Sequence, residues 1–166
     1  KTREITMGEP YMRLERGEVT FKEYVDVIRV MLPNGNRIDG DDLRDIWMNS
    51  KIGEMPAVSL LDELLKHYKV WVISNTTESH IKSLKSQFTF LEKINGIVTS
   101  ERAGVHKPHP NIFQFALAEA NCDVTSALFI DDSYTNIESA ENLGIVSHHY
   151  TRFDELVKFL EKNQKI

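Results

Sequence analysis

From Val70 onward the chain alternates short β-rich apolar runs with longer stretches of helical periodicity, and this alternation constrains the fold more than any other feature. The runs are Val70 to Ile73, Ile97 to Thr99, Ala127 to Ile130 and Ile145 to His148. Among them lie Ile81, Leu84 and Phe88; then Ile112, Phe113, Ala116, Leu117 and Ala120; then Phe153, Leu156, Val157 and Leu160. Each set has the three- and four-residue spacing of one helix face. Strands joined through helices pair in parallel, so the order predicts an α/β fold on a Rossmann-like parallel sheet. Pro110 suits a first helical turn and Gly144 a C-terminal stop.

Upstream the pattern changes. Phe21, Tyr24, Val25, Ile28, Met31 and Leu32 form one apolar helical stripe, opened by the capping box Thr20-Phe21-Lys22-Glu23. Pro33-Asn34-Gly35-Asn36 breaks it, and Asp39 is the expected N-cap of a second helix running to about Ser50. The shift near Glu54-Met55-Pro56 divides the chain into a helical part, residues 1–53, and an α/β part, residues 54–166. There is no internal repeat.

Composition excludes several classes. Twenty basic against twenty-five acidic residues give a net charge of −5 without a basic run, which excludes a nucleic-acid footprint. No apolar stretch is long enough for a bilayer and the first thirty residues hold no signal-peptide core, so neither a membrane nor secretion is expected. The single cysteine, Cys122, can form neither an internal disulfide nor a thiolate metal cluster. A reduced, cytoplasmic protein is the expectation.

In open parallel sheets, sites form at the carboxyl ends of strands. After Ile73 come Ser74-Asn75-Thr76-Thr77, a hydroxyl, an amide and free N–H groups where a helix begins. They suit an anionic oxygen, and equally an ordinary N-capped turn. After Ile130 come Asp131-Asp132, followed by Asn136 one turn into the next helix. Two adjacent carboxylates at a buried strand end need a cation or donors, and oxygen ligands favour Mg²⁺ over Zn²⁺; alternatively one Asp is solvated and the other caps the helix. Between these runs, Lys107 sits in His106-Lys107-Pro108-His109-Pro110, a loop restricted by two prolines. It either neutralises a phosphate or is a solvated charge, with His106 and His109 read as surface residues. His148 and His149 carry no assigned role.

Taken in order, Ser74-Asn75, Lys107-Pro108 and Asp131-Asp132 resemble the second, third and fourth motifs of the haloacid dehalogenase-like hydrolase superfamily. Phe129-Ile130-Asp131-Asp132, with Asn136-Ile137-Glu138-Ser139-Ala140 and Leu143-Gly144-Ile145, is similar to the branch with a small helical cap after the first strand, capped subfamily I. Met7-Gly8-Glu9 and Glu15-Arg16-Gly17-Glu18 resemble cap sequence of its sugar-phosphate phosphatases, of the glucose-1-phosphate type. The resemblance implies phosphoryl transfer through an aspartyl-phosphate with Mg²⁺ as cofactor and a small phosphorylated metabolite as substrate. By motif, Ser74 and Asn75 bind phosphate oxygens and Lys107 offsets charge. Asp132 is the principal metal ligand, and Asp131 binds the metal or its water shell. Haloacid dehalogenases share the Ser-Asn and Lys-Pro positions but generally lack the acidic pair, which favours a phosphatase.

The family's first motif, a strand ending in the nucleophilic Asp, has no counterpart here. Asp39-Gly40-Asp41-Asp42 follows Asn34-Gly35-Asn36-Arg37 rather than a β-branched run, and its carboxylates suit a helix N-terminus. Asp26 falls on the polar face of a helix. The expectation is an N-terminal segment beyond Lys1 that carries the strand and nucleophile and completes the sheet, with the present chain inactive without it. The alternatives are a noncatalytic relative that binds phosphate and Mg²⁺, and a dehalogenase.

Overall fold

The computed structural model describes residues 6–48, 53–163 and 165. The helical part opens with α1 (Glu9–Glu15), which Pro10 helps to start. Next, α2 (Phe21–Met31) begins at the expected capping box: the Thr20 hydroxyl accepts the Glu23 N–H, and the Glu23 carboxylate accepts the Thr20 N–H. Asn34, in the left-handed region at φ 59°, turns the chain into a single 3-10 turn at Gly35–Arg37. There the tight return leaves no space for a Cβ, which at Gly35 would fall 2.1 Å from the Arg29 carbonyl oxygen. Asp39 then accepts the N–H groups of Asp41 and Asp42 and so starts α3 (Gly40–Met48). The expected helix end at Ser50 lies outside the described residues.

Leu14, Tyr24, Val25 and Ile28 form one buried cluster, with Tyr11, Phe21, Leu43 and Trp47 packed on it. The stripe of α2 is narrower than its periodicity suggests. Met31 at its end is 47% exposed, because the chain has already turned away at Leu32.

After a 3-10 turn at Pro56–Leu60 and the short α4 (Leu61–Leu64), the α/β order unfolds as expected. It runs β1 (Trp71–Ser74), α5 (Glu78–Gln87), β2 (Gly96–Thr99), α6 (Ser100–Ala103), α7 (Pro110–Ala120), β3 (Leu128–Asp131), α8 (Tyr134–Asn142), β4 (Val146–His149) and α9 (Phe153–Lys162). The strands pair in parallel, β1 with β2 and β3 with β4. Val98, Ile112, Phe113, Ala116, Ala140 and Ile145 make the second core, with Trp71, Ile73 and Phe129 against it.

Three strands start one residue later than the apolar runs. Val70 is taken up before the ladder begins, its N–H donating to the Asn95 side chain at 2.7 Å and its carbonyl accepting the Asn95 N–H at 2.9 Å. Ser74 and Asp131 are therefore the last residues of β1 and β3 rather than the first residues of loops. No further strand pairs with β1 or β3 among the described residues, and a groove of about 620 Å³ runs between these two. Val70 to Ile73 form one wall and Leu128 to Asp131 the other, with Phe113 and Ala116 of α7 also lining it and Lys107 at the strand ends.

Candidate functional site

The carboxyl ends of β1 and β3 bring three of the five expected residues, Asn75, Lys107 and Asp131, into one bonded set, with Ser74 and Asp132 adjacent to it in sequence. Asn75, just past β1, clamps the Lys107 backbone at both of its polar groups. Its Oδ1 accepts the Lys107 N–H at 2.7 Å and its Nδ2 donates to the Lys107 carbonyl at 3.0 Å. That two-point contact fixes the loop before α7, which starts at Pro110 with the His109 ring accepting the Asn111 N–H. It also aims the Lys107 side chain across the groove end, where Nζ meets Asp131 Oδ2 at 2.6 Å. The Asp131 side chain is buried and that of Lys107 largely so, at 6% and 13% exposed. Ser74, beside Asn75, keeps a hydroxyl that bonds to no group among the described residues.

Asp131 is fully engaged. Besides Lys107 on Oδ2, its Oδ1 accepts the Ser133 N–H and the Asn136 amide, each at 2.8 Å. Burial pushes the carboxyl up, but Lys107, Ser133 and Asn136 together outweigh it and hold the group below the ordinary carboxylate range. It is a fixed anion at neutral pH, and it holds the lysine side chain in place.

Asp132 is the opposite case: exposed, with no hydrogen-bond partner for its carboxylate among the described residues. Its backbone carbonyl lies 3.0 Å from His149 Nε2, which steadies the peptide from β4. Mg²⁺ asks for one or two carboxylates, substrate phosphate oxygens and waters rather than an all-protein cage. A free carboxylate beside an anchored one, without thiolate or imidazole ligands, fits that demand. No group of three or more His, Cys, Asp or Glu side chains stands ready to hold a metal among the described residues.

Asn136 emerges as a bonded partner whose role spacing alone did not establish. His106, expected at the surface, is instead largely buried against Glu15 of α1, with 3.3 Å between Nε2 and Oε2. Nothing local announces a contact between residues so far apart in sequence. Asp39 and Asp26 stay away from the groove: Asp39 is the exposed cap of α3, and Asp26 is exposed and pairs with Arg29 at 3.4 Å. No helix among the described residues is long and apolar enough to cross a membrane.

Comparison with known proteins bears on the family and the fold. A family model described as haloacid dehalogenase-like hydrolase matches residues 41–149. A sesquiterpene phosphatase of Aspergillus oryzae is 26% identical over 109 residues, 65% of this chain and 55% of its own. A glyceraldehyde 3-phosphate phosphatase of Pyrococcus abyssi is 42% identical over 50 residues, 30% of this chain and 21% of its own. The chain thus spans about half the length of the first and a fifth of the second. Among solved structures, the magnesium complex of a HAD family enzyme from Bacteroides thetaiotaomicron superposes with a TM-score of 0.73 at 27% identity, over 90% of this chain and 79% of that one.

Proposed function

The chain belongs to the haloacid dehalogenase-like hydrolases, and on that premise we propose that the full-length protein is a Mg²⁺-dependent phosphatase of small phosphorylated metabolites, cytoplasmic, working through an aspartyl-phosphate. Residues 54–166 act as the catalytic core and residues 1–53 as a helical cap over the strand ends. The observation that carries the reading is the Asn75–Lys107–Asp131 assembly, a buried cation held by its backbone and its charge at the mouth of a groove between parallel strands.

Each residue has a task set by its surroundings. Ser74 offers its unengaged hydroxyl, and Asn75 its N–H, to a phosphate oxygen. Lys107 neutralises negative charge on the transferring group and on the attacking carboxylate, while Asp131 and Asn75 keep it from moving. Asp132 would hold Mg²⁺ directly, and Asp131, already bonded by three donors, would touch its water shell. The bound ion would supply charge neutralisation at the phosphoryl oxygens.

The nucleophile is a carboxylate outside residues 1–166, at the end of a strand seated in the groove. Two observations support this. Among the described residues the facing edges of β1 and β3 pair with no strand and line a largely apolar slot, and unpaired strand edges call for a partner. Of the acids in the helical part, Asp39 is committed to its cap and Asp26 to Arg29. The Bacteroides neighbour's magnesium complex supports the cofactor. The named phosphatase relatives support the reaction class while differing in substrate, so a sugar phosphate is one case among small phosphate monoesters.

The test is hydrolysis of p-nitrophenyl phosphate by the full-length protein. Turnover should vanish with EDTA and return with Mg²⁺. Halide release from a haloacid that survives EDTA would overturn the phosphatase, and phosphate binding without turnover would establish the noncatalytic relative.

A further inference from the structure

Phosphoryl binding leaves one buried acid without a task. Glu15, the last residue of α1, is 9% exposed, and its carboxyl faces His106, the residue immediately before Lys107. Asn75 holds the Lys107 backbone from one side. On the other side His106 Nε2 is buried, with Glu15 as its close polar neighbour and no well-formed hydrogen bond. The end of α1 is itself moored to the core. The Ser100 hydroxyl donates to the Glu15 carbonyl at 2.6 Å and accepts the Thr76 N–H at 2.9 Å, one residue from Asn75. Arg16, the adjacent cation, is occupied by Glu9 at 2.6 Å and Glu18 at 2.5 Å, which leaves His106 to face Glu15.

We propose that Glu15 is a positioning residue: carried on the helical cap and held against His106, it sets the placement of the Lys107 loop, so that the lysine is seated for reaction while the cap is docked. This rests on the phosphatase reading. It adds to that reading a link between cap and cation through two residues that touch neither substrate nor metal.

The electrostatics give the contact a pH signature. Burial pushes Glu15 up to about 7, against a hydrogen bond from Tyr11 that pulls it down. Burial and the charge of Arg16 push His106 down, opposed by Glu9 and Glu18. Tyr11 is itself raised by burial and by Glu15, with Tyr24 beyond it. Burial thus keeps a proton on the Glu15 carboxyl up to about pH 7, beside a His106 whose charging burial disfavours. Above about pH 7 that proton leaves, an uncompensated carboxylate remains in the interface, and the contact loosens.

The experiment measures kcat and KM for p-nitrophenyl phosphate with Mg²⁺ on the full-length protein, in Glu15→Ala, Glu15→Gln, His106→Ala and the double alanine variant. A small displacement of a catalytic group costs up to 10²-fold, so each single alanine variant should lose about tenfold in kcat with KM within about twofold. The double variant should be no worse than either single, because one contact is removed in all three. Glu15→Gln keeps the size of the side chain and its reach to Tyr11, so it should fold and should lack the fall in activity above pH 7. Unchanged kcat in the alanine variants, losses that multiply in the double, an effect confined to KM, or a basic limb retained by Glu15→Gln would each overturn the proposal. A wild-type protein that hydrolyses no phosphate monoester overturns the phosphatase reading and this one with it; an active wild type with unaltered variants overturns this one alone.

Discussion

Replacing Lys107 by Met removes a charge while keeping most of the side chain. The aliphatic stem is replaced by one of similar length, while the ammonium that lies 5.8 Å from the Phe129 ring centroid goes with the charge. What is lost is the 2.6 Å contact with Asp131, between side chains 13% and 6% exposed. Breaking a buried pair by deleting one partner costs about 3 to 5 kcal/mol. Ser133 and Asn136 continue to bond the other carboxylate oxygen, which sets the expected cost at the low end, about 3 kcal/mol at pH 7.5.

The pH dependence follows from Asp131. In the native protein burial raises this carboxyl, and Lys107 with the two neutral donors brings it below its ordinary 3.8. Its stabilising contribution is therefore present above that value and lost as pH falls through the folded one. In the variant burial meets no cation, the carboxyl rises, and protonation at mildly acidic pH relieves the buried charge. The deficit against wild type should narrow to roughly half at pH 4.5. Urea unfolding of the full-length protein and the variant at both pH values, with slopes compared, measures it. A deficit below about 0.5 kcal/mol at pH 7.5, or one independent of pH, would mark a solvated surface pair and refute the reasoning.

Further outcomes follow from the same structure. Asp132→Asn should abolish Mg²⁺-dependent hydrolysis with little change in melting temperature, because the carboxylate is exposed and has no hydrogen-bond partner among the described residues; undiminished turnover would remove it from the site. Gly96→Ala should cost about 1 to 3 kcal/mol, seen as a lowered melting temperature, since its Cβ would fall 2.2 Å from the Trp71 ring across the β1–β2 pair. Glu15 rises from an ordinary 4.5 to about 7, so the folded state binds more protons in that window and loses stability as pH rises through it, by up to about 3 kcal/mol. Urea unfolding at pH 5 and pH 8 should show that loss in wild type and not in Glu15→Gln.

Local signals were legible because their physics is local. The capping box at Thr20 and Glu23 and the Asp39 cap are contacts between near neighbours, and the structure has them as written. Strand positions were legible to within a residue, the offset of β1 arising where Asn95, twenty-five positions away, captures the backbone of Val70. What spacing could not supply was pairing at a distance. Asn75 and Lys107, Lys107 and Asp131, and Glu15 and His106 meet only once the parallel strands and the helical part have packed. For that reason His106 reads as a surface histidine in the sequence and is a buried interface group in the fold. Periodicity misled in the other direction at Met31, which falls in the apolar stripe of α2 by spacing and is 47% exposed at the helix end.

The most direct test of the central claim is to locate the phosphorylated residue. The full-length protein is quenched in acid during turnover, the acyl phosphate is reduced with borohydride, and the peptides are mapped by mass spectrometry. The modified residue should be an Asp outside residues 1–166, at the end of a β-rich run, in the strand that fills the groove between β1 and β3. A label within these residues, at Asp39, Asp41 or Asp42, or turnover without any phosphorylated carboxylate, would contradict the assignment of nucleophile and groove alike.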